Sequence, residues 1–261
     1  VSILSDKEII RLCTPPTFVT ITNVPPRSIG LNYMTPTPVE SFTYLDEEIL
    51  KQKIEDNTKA DHSMITMQHI VGLVGYRPLT EQELSEFRPM ISPFVDHQVK
   101  LDEAGKRILS KGLSSFGYDV SLTGDFRIFT NINTTLVDPL DFNPKCLHTH
   151  QGDYAIIPPN SYLLGTTNEW FDIPNDVMVL CVGKSSLARC SAIVNCTPIE
   201  PGFRGNVVIE IANASPSPLK IYANMGVAQF LFFRGSEPCA VSYADRGGKY
   251  QNQTGVQLAL T

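Results

Sequence analysis

Val182–Ala212 reads VGKSSLARCSAIVNCTPIEPGFRGNVVIEIA. Its first half is a run of donors: the Lys184 ammonium, the Ser185 and Ser186 hydroxyls and the Arg189 guanidinium. Pro201-Gly202 and Arg204-Gly205 are turn signals that reverse the chain. Val207-Val208-Ile209-Glu210-Ile211 follows, a β-branched run that predicts a strand with one charge near its middle. A carboxylate inside an apolar strand is costly to bury unless it is partnered. The turn predicts that the upstream donors are those partners. Two readings follow: a structural ion pair in which Arg189 neutralises Glu210, or a reactive carboxylate held by the same donors.

Outward from this stretch the texture is of short strands. Phe116–Leu122 leads into Phe126–Phe129, and Gly152–Ile157 and Ser161–Thr166 flank the turn Pro158-Pro159-Asn160. Val177–Val182, Val207–Ala212, Leu219–Tyr222 and Val227–Phe233 follow. Many short strands broken by Gly and Pro predict an all-β sandwich, jelly roll or barrel. At the other end, Ser5-Asp6-Lys7-Glu8 is a capping-box pattern that opens a short helix with Ile9, Ile10 and Leu12, ending by Thr14-Pro15-Pro16. From Cys13 to Pro89 the pattern changes. It predicts a strand at 18–22, a helix at 46–56, a strand at 69–74 and a capped helix from Thr80 to about Phe87. His62, His69 and His97 have no metal-ligand spacing.

The totals narrow the classes. With 42% hydrophobic and 18% charged residues in 261, the chain has an ordinary globular composition. A net charge of -6 argues against a general nucleic-acid binder, which needs a basic footprint. No apolar run approaches the roughly 18 residues of a membrane span. Lys7, Glu8 and Arg11 interrupt the N-terminal apolar stretch, so no signal peptide is expected and the expected location is cytoplasmic. Six cysteines without a CxxC spacing are then expected as free thiols. The Asn-x-Ser/Thr triplets at Asn133, Asn195, Asn213 and Asn252 are read as chance matches.

The C-terminal segment Tyr243–Gly255, YADRGGKYQNQTG, is polar and glycine-rich. Lys249, Tyr250, Gln251 and Gln253 supply donors, and Gly247-Gly248 permits close backbone approach to a ligand. A frayed tail is the plainer reading.

GKSSLAR (183–189), IEPGFRGNVVIE (199–210), GVAQFLFF (226–233) and YADRGGKYQNQTG, in this order and spacing, resemble the dCTP deaminase family of the trimeric dUTPase superfamily. The resemblance covers residues 1–12 and 90–261 as one β domain. Residues 13–89 stand apart as an α/β insertion of unknown role. It implies a mainly β, distorted jelly-roll fold (a dUTPase-like β-clip), a homotrimer, and active sites at subunit interfaces. It further implies Glu210 as general acid/base, with Ser185 and Arg189 holding and polarising the attacking water. Lys184 and Ser186 match phosphate contacts within the binding run that also holds Leu187 and Ala188. Thr197 and Pro198 match the strand end facing the pyrimidine, Glu200 the position near the deoxyribose, and Val208 and Ile209 the strand that reads the base. Gln229, Tyr243, Lys249 and Gln253 match ligand contacts, the last three in a tail folding over the triphosphate.

The implied activity is hydrolytic deamination of dCTP to dUTP and ammonia, feeding dUMP and dTTP synthesis, with dTTP as a possible inhibitor. Zinc deaminases carry an H-x-E and P-C-x-x-C signature. This sequence has neither, so a metal-independent route is expected in which Glu210 handles the protons. Burial in VVIEI would raise the pKa of Glu210 and Arg189 would lower it. Mg²⁺ is expected on the nucleotide phosphates and not in a protein cage. The alternatives are a bifunctional enzyme that also hydrolyses dUTP to dUMP and pyrophosphate, with Glu200 as its base, a deaminase of another cytosine nucleotide such as dCMP, and a non-catalytic nucleotide sensor. The insertion would suit a viral version working in host cytoplasm.

Overall fold

The computed structural model describes residues 1–15, 18–20, 44–45, 76–78, 81–132 and 135–259. It divides into two compact units, Val1–Cys13 with Pro89–Thr261, and Thr14–Arg88. The expected helix at 46–56, the expected strand at 69–74, Thr80 and Asn133 lie outside the described residues.

The first unit opens with strand β1 (Ser2–Ile3) and helix α1 (Asp6–Cys13). The capping box works as its sequence predicts at one of its two contacts: Ser5 N donates to the Glu8 carboxylate at 3.1 Å. Ile9 and Cys13 face the core, and burial pushes the Cys13 thiol up to about 12. Met90 N donates to Leu12 O at 2.8 Å, tying the helix end to the chain where this unit resumes. In the second unit, β2 (Phe18–Thr20) pairs antiparallel with both β3 (Tyr44–Leu45) and β4 (Tyr76–Pro78), and α2 spans Glu81–Glu86.

The rest of the first unit is an antiparallel jelly roll. Its strands are β5 (Ile91–Ser92), β6 (Gln98–Leu101), β7 (Arg107–Ser114), β8 (Gly117–Phe129), β9 (Leu147–Gln151), β10 (Tyr154–Ile157) and β11 (Tyr162–Asp172). They continue as β12 (Val177–Gly183), β13 (Ala192–Asn195), β14 (Arg204–Asn213), β15 (Leu219–Tyr222) and β16 (Gly226–Arg234), with the short helix α3 at Ser185–Ala188. The main path runs β1-β16-β8-β11-β14-β13, with β12 beside β16 and β10 paired to β15. β8 serves two layers. Its first half pairs with β7 and β16, and its second half with β9 and β11. The corner falls at Gly124, whose O accepts from Gly152 N at 3.0 Å. A Cβ there would sit 2.8 Å from Gly152 O, so only glycine lets the two backbones meet.

The core lies between the layers, with Tyr118, Val120 and Leu122 of β8, Ile209 and Ile211 of β14, and Phe230 and Phe232 of β16 all buried. Phe171 and Phe230 meet at 5.2 Å between ring centroids. Asn213 is also buried, and its amide donates to Ile157 O, Pro158 O and Ser217 O. Among the described residues, no helix is long and apolar enough to cross a membrane.

A bulge in β11 between Thr166 and Trp170 carries buried polar groups. Thr167 Oγ1 accepts from Val207 N at 2.9 Å and donates to Glu169 O at 2.7 Å. Asn206 Nδ2 donates to Thr167 O and Glu169 O at 3.1 and 3.0 Å. The Glu169 carboxylate accepts from Ser121 N and Ser121 Oγ at 3.1 and 3.0 Å. Burial pushes that carboxyl up to about 7, against the lowering effect of those bonds and of Lys111.

The raised value fixes the sign of a pH effect. Below the ordinary value of 4.5 both folded and unfolded forms hold the proton, and ionisation costs the fold nothing. Between 4.5 and about 7 the folded form retains a proton the unfolded form has lost, so stability falls as pH rises. Denaturant unfolding from about pH 5 to about pH 8 is expected to show a loss of roughly 3 kcal/mol that Glu169→Gln removes. An equal slope in both proteins would mean that Glu169 is already ionised in the fold.

Candidate active site

β14 is not the uniformly apolar run its sequence resembles. Burial alternates along it: Gly205, Val207, Ile209, Ile211 and Asn213 face the core, and Asn206, Val208, Glu210 and Ala212 face the other way. A strand's period of two therefore carries Glu210 out of the core without a charge partner inside it. Glu210 lies opposite Leu164 of β11 on one side and Asn195 of β13 on the other. These residues form a wall of a cavity of about 380 Å³. Thr197, Pro198 and Glu200 close it from the loop after β13, and Tyr243, Tyr250 and Gln253 from the C-terminal segment.

Among the described residues, no hydrogen bond or ion pair reaches the half-buried Glu210 carboxylate. The expected pairing with Arg189 is overturned within this chain, and strand register gives the reason. Asn195 faces Glu210 and Ala192 faces Asn213, so β13 begins about 10 Å from Glu210 at the usual strand rise. α3 and Arg189 lie beyond that beginning. Arg189 Nη1 instead donates to Ser185 O at 3.1 Å. Leu187 is buried and anchors α3, and Ser185, Ser186 and Ala188 are exposed.

A second cluster gathers around Lys184. Its Nζ lies 2.7 Å from Asp119 Oδ2, with both side chains nearly removed from solvent. Ser110 Oγ accepts from Lys184 Nζ at 3.2 Å and donates to Asp119 Oδ2 at 3.3 Å, and Gln98 Nε2 donates to the same oxygen at 3.2 Å. Gln229 pairs with Asp119 in the ladder and donates to Ser114 Oγ at 2.8 Å. Lys184 and Ser186 line a separate cavity of about 530 Å³.

The site residues expected from the sequence thus divide. Thr197, Pro198, Glu200, Val208, Glu210, Tyr243 and Gln253 line the first cavity, and Lys184 and Ser186 the second, with no lining residue shared. The Ile209 side chain points into the core, away from the cavity, and Lys249 is exposed on the tail.

That tail is docked, not frayed. Asn206 N donates to Gln253 O at 3.0 Å, Asn252 N to Arg204 O at 2.7 Å, and Gln251 Nε2 to Gly202 O at 3.0 Å. Gly205, at φ +144°, makes this possible, since a Cβ there would lie 3.0 Å from Gln253 N and O. Tyr250 N donates to Tyr243 Oη at 3.0 Å, and the Tyr243 ring packs edge-on against Phe203. Arg246 pairs with Glu200.

Two features escaped the sequence reading. Tyr162 lines the first cavity, stacked on Phe129 at 4.9 Å. Burial, with Cys146 and Glu210 nearby, pushes its phenol up to about 12. Its place two residues before Leu164 on an alternating strand was the available signal. Cys196 also lines the cavity, and its thiol is in hydrogen-bonding contact with Cys181. That bond holds Cys196 below the ordinary thiol range, while the same bond and burial raise Cys181. All six cysteines are free. Among the described residues, no His, Cys, Asp and Glu side chains gather in threes to hold a metal.

Residues 89–235 match the profile of a family described as dCTP deaminase-like. A dCTP deaminase of Xanthomonas oryzae pv. oryzae (strain PXO99A) is 53% identical over 180 residues, spanning 69% of this chain and 95% of that protein. The solved 2'-deoxycytidine 5'-triphosphate deaminase of Agrobacterium tumefaciens aligns at TM-score 0.39 and 16% identity, over 47% of this chain and 39% of that one. A mutant dUTPase of phage phi11 of S. aureus, described as coordinating a structural Mg(II) ion, aligns at TM-score 0.33 and 14% identity, over 54% of this chain and 92% of that one. A jelly roll carrying an outward-facing glutamate on β14 is thus joined to a sequence match over most of the β unit. The chain belongs to the dCTP deaminase-like family.

Removing one member of a buried ion pair strands the other. Lys184→Ala is expected to destabilise the fold by about 3 kcal/mol, and Lys184→Ala with Asp119→Ala to recover much of it. Denaturant unfolding of the single and double variants checks this, and additive losses would mean the pair is not coupled.

Proposed function

We propose that the chain converts dCTP and water to dUTP and ammonia, with Glu210 carrying the protons. The observation that supports this most directly is the Glu210 carboxylate. It is half-buried, facing the cavity, and free of any bond among the described residues. Water adds to C4 of the cytosine, N3 takes up a proton, and the C4 amino group leaves as ammonia. Glu210 accepts one proton from the attacking water and passes it to N3, then takes the second from the C4 hydroxyl and passes it to the leaving nitrogen, so that C4=O forms as the C4–N bond breaks. Leu164 and Val208 flank the carboxylate and limit competing water.

Thr197 and Pro198 face the pyrimidine through their backbone, Val208 lies under the base with the Ile209 backbone, and Glu200 sits near the deoxyribose. Ser185 and Arg189 hold and polarise the attacking water. Because register keeps Arg189 away from Glu210 in its own chain, these two groups act from a neighbouring copy in a homotrimer with active sites between subunits. Arg189 keeps its charge, so it orients and stabilises and does not give up a proton. Lys184 and Ser186 of that copy, with Gln229 nearby, hold the phosphates. Tyr243, Lys249 and Gln253 close the tail over them. Mg²⁺ would be held through the nucleotide's phosphates and would offset their charge, consistent with the engagement of Asp119 by Lys184. Residues 1–12 and 90–261 constitute the catalytic domain, with 13–89 an insertion beside it. The reaction needs no further compartment than a reducing cytoplasm, and dTTP is a candidate competitor for the same cavity.

Glu200 opens a tight turn in which Phe203 N donates to Glu200 O at 3.1 Å, and this supports deamination alone over added dUTP hydrolysis. Measuring pyrophosphate beside ammonia separates the two. Glu210→Gln is expected to lower ammonia release from dCTP by about a thousandfold or more while dCTP still binds. Full activity in that variant removes Glu210 from the mechanism. Truncation after Gly247 is expected to raise KM for dCTP by about tenfold or more, with a smaller change in kcat. Unchanged kinetics would exclude a closing role for the tail.

A further inference from the structure

The second cavity contains two cations that neither the motifs nor the proposed chemistry uses. Lys100 on β6 and Arg107 at the start of β7 line it together with Ser110, Lys184 and Ser186. Leu101 and Arg107 are directly paired across the hairpin, so both strands present a wall to the same opening. The hairpin's turn is held by its own bonds: Asp102 N donates to Lys106 O at 2.9 Å, and the Asp102 carboxylate accepts from Ala104 N and Lys106 N at 3.0 and 2.8 Å. The Asp102 carboxylate is therefore occupied in shaping the turn.

The charges do not cancel. Asp119 is matched by Lys184 at 2.7 Å, and Gln98 and Ser110 saturate the same carboxylate oxygen. Among the described residues, no hydrogen bond or ion pair engages the side chains of Lys100 and Arg107. Two unmatched cations thus border a cavity of about 530 Å³ in a chain whose net charge is -6. A guanidinium fork and an ammonium beside hydroxyls suit tetrahedral oxyanions, the fork by paired bonds and the ammonium as a point charge. The overall charge of -6 opposes a nucleic-acid groove.

We infer that Lys100 and Arg107 extend the phosphate subsite begun by Lys184 and Ser186, so that the hairpin β6–β7 reads the length of a polyphosphate chain. This rests on the proposed reading of Lys184 and Ser186 as phosphate contacts. It makes the hairpin the element that distinguishes a cytosine nucleoside triphosphate from its monophosphate. The contacts fall on phosphates remote from C4, so they act on binding and not on proton transfer.

The test uses the full chain and the double variant Lys100→Ala/Arg107→Ala, whose replaced side chains are exposed. Calorimetric titration with inorganic tripolyphosphate is expected to show affinity about tenfold or more weaker in the variant. KM for dCTP is expected to rise by a similar factor, and the preference for dCTP over dCMP to fall with it. Lys100→Arg is expected to keep most of both. Equal tripolyphosphate affinity in the two proteins, or none in the parent, overturns the inference. Weaker tripolyphosphate binding with an unmoved KM for dCTP also overturns it, by assigning the cavity to free polyphosphate and not to substrate. If the parent releases no ammonia from any cytosine nucleotide, the proposed function fails, and the titration alone decides what the cavity binds.

Discussion

A slip of one residue in the pairing of β14 would turn Glu210 into the core and Ile209 into the cavity. What prevents it is a set of buried hydrogen bonds at the bulge of β11. Val207 N is held by Thr167 Oγ1, and the Asn206 amide bridges two carbonyls of the same bulge. Each of these donors would be stranded in the interior by a slip, at a cost of about 1–3 kcal/mol apiece. The bulge therefore does for β14 what a hairpin turn does for shorter strands: it fixes which face each side chain takes. The half-buried carboxylate, its apolar flanks and the loop from Cys196 to Glu200 all take their places from that register.

Much of this was legible in the chain itself. Strand-rich texture after Ser110, the N-terminal capping box and the ordered motifs pointed to a mainly β fold. Thr197, Pro198, Glu200, Val208 and Glu210 follow from local pattern, because they sit on one strand face and the loop beside it, whereas Tyr243 and Gln253 reach the same cavity only through the docked tail. The pairing of Arg189 with Glu210 did not follow. Sequence nearness across a turn says nothing about register, and β13 places Asn195 where the arginine was expected. The buried polar bulge was equally hidden, since the expected strand stops at Thr166, short of Thr167, Asn168 and Glu169. Their partners, Ser121 and Asn206, come from strands distant in sequence. Tyr162 and the Cys181–Cys196 contact needed the same kind of long-range pairing to be seen.

The two cavities differ in physical character. One is walled by Leu164, Val208 and Tyr162 and suits a flat heterocycle. The other is bordered by cations and hydroxyls and suits an oxyanion. A pyrimidine nucleotide has both properties at opposite ends of one molecule. Electrostatics in the second cavity also come in two kinds. The Lys184–Asp119 pair is shielded from solvent, whereas Lys100 and Arg107 face water, where dissolved ions weaken their pull over a Debye length of about 8 Å.

β8 has a further consequence as a measure of length. Asp119 near its start pairs with Gln229 and holds Lys184, and Arg127 near its end faces Leu164, which in turn faces Glu210. At the usual rise per residue these two stations are about 25 Å apart along the strand's path. The span is set by covalent backbone, with its corner pinned where Gly124 O accepts from Gly152 N, so no side-chain rearrangement shortens the path. Whatever docks along β8 therefore meets stations whose spacing is set by backbone and not by side chains.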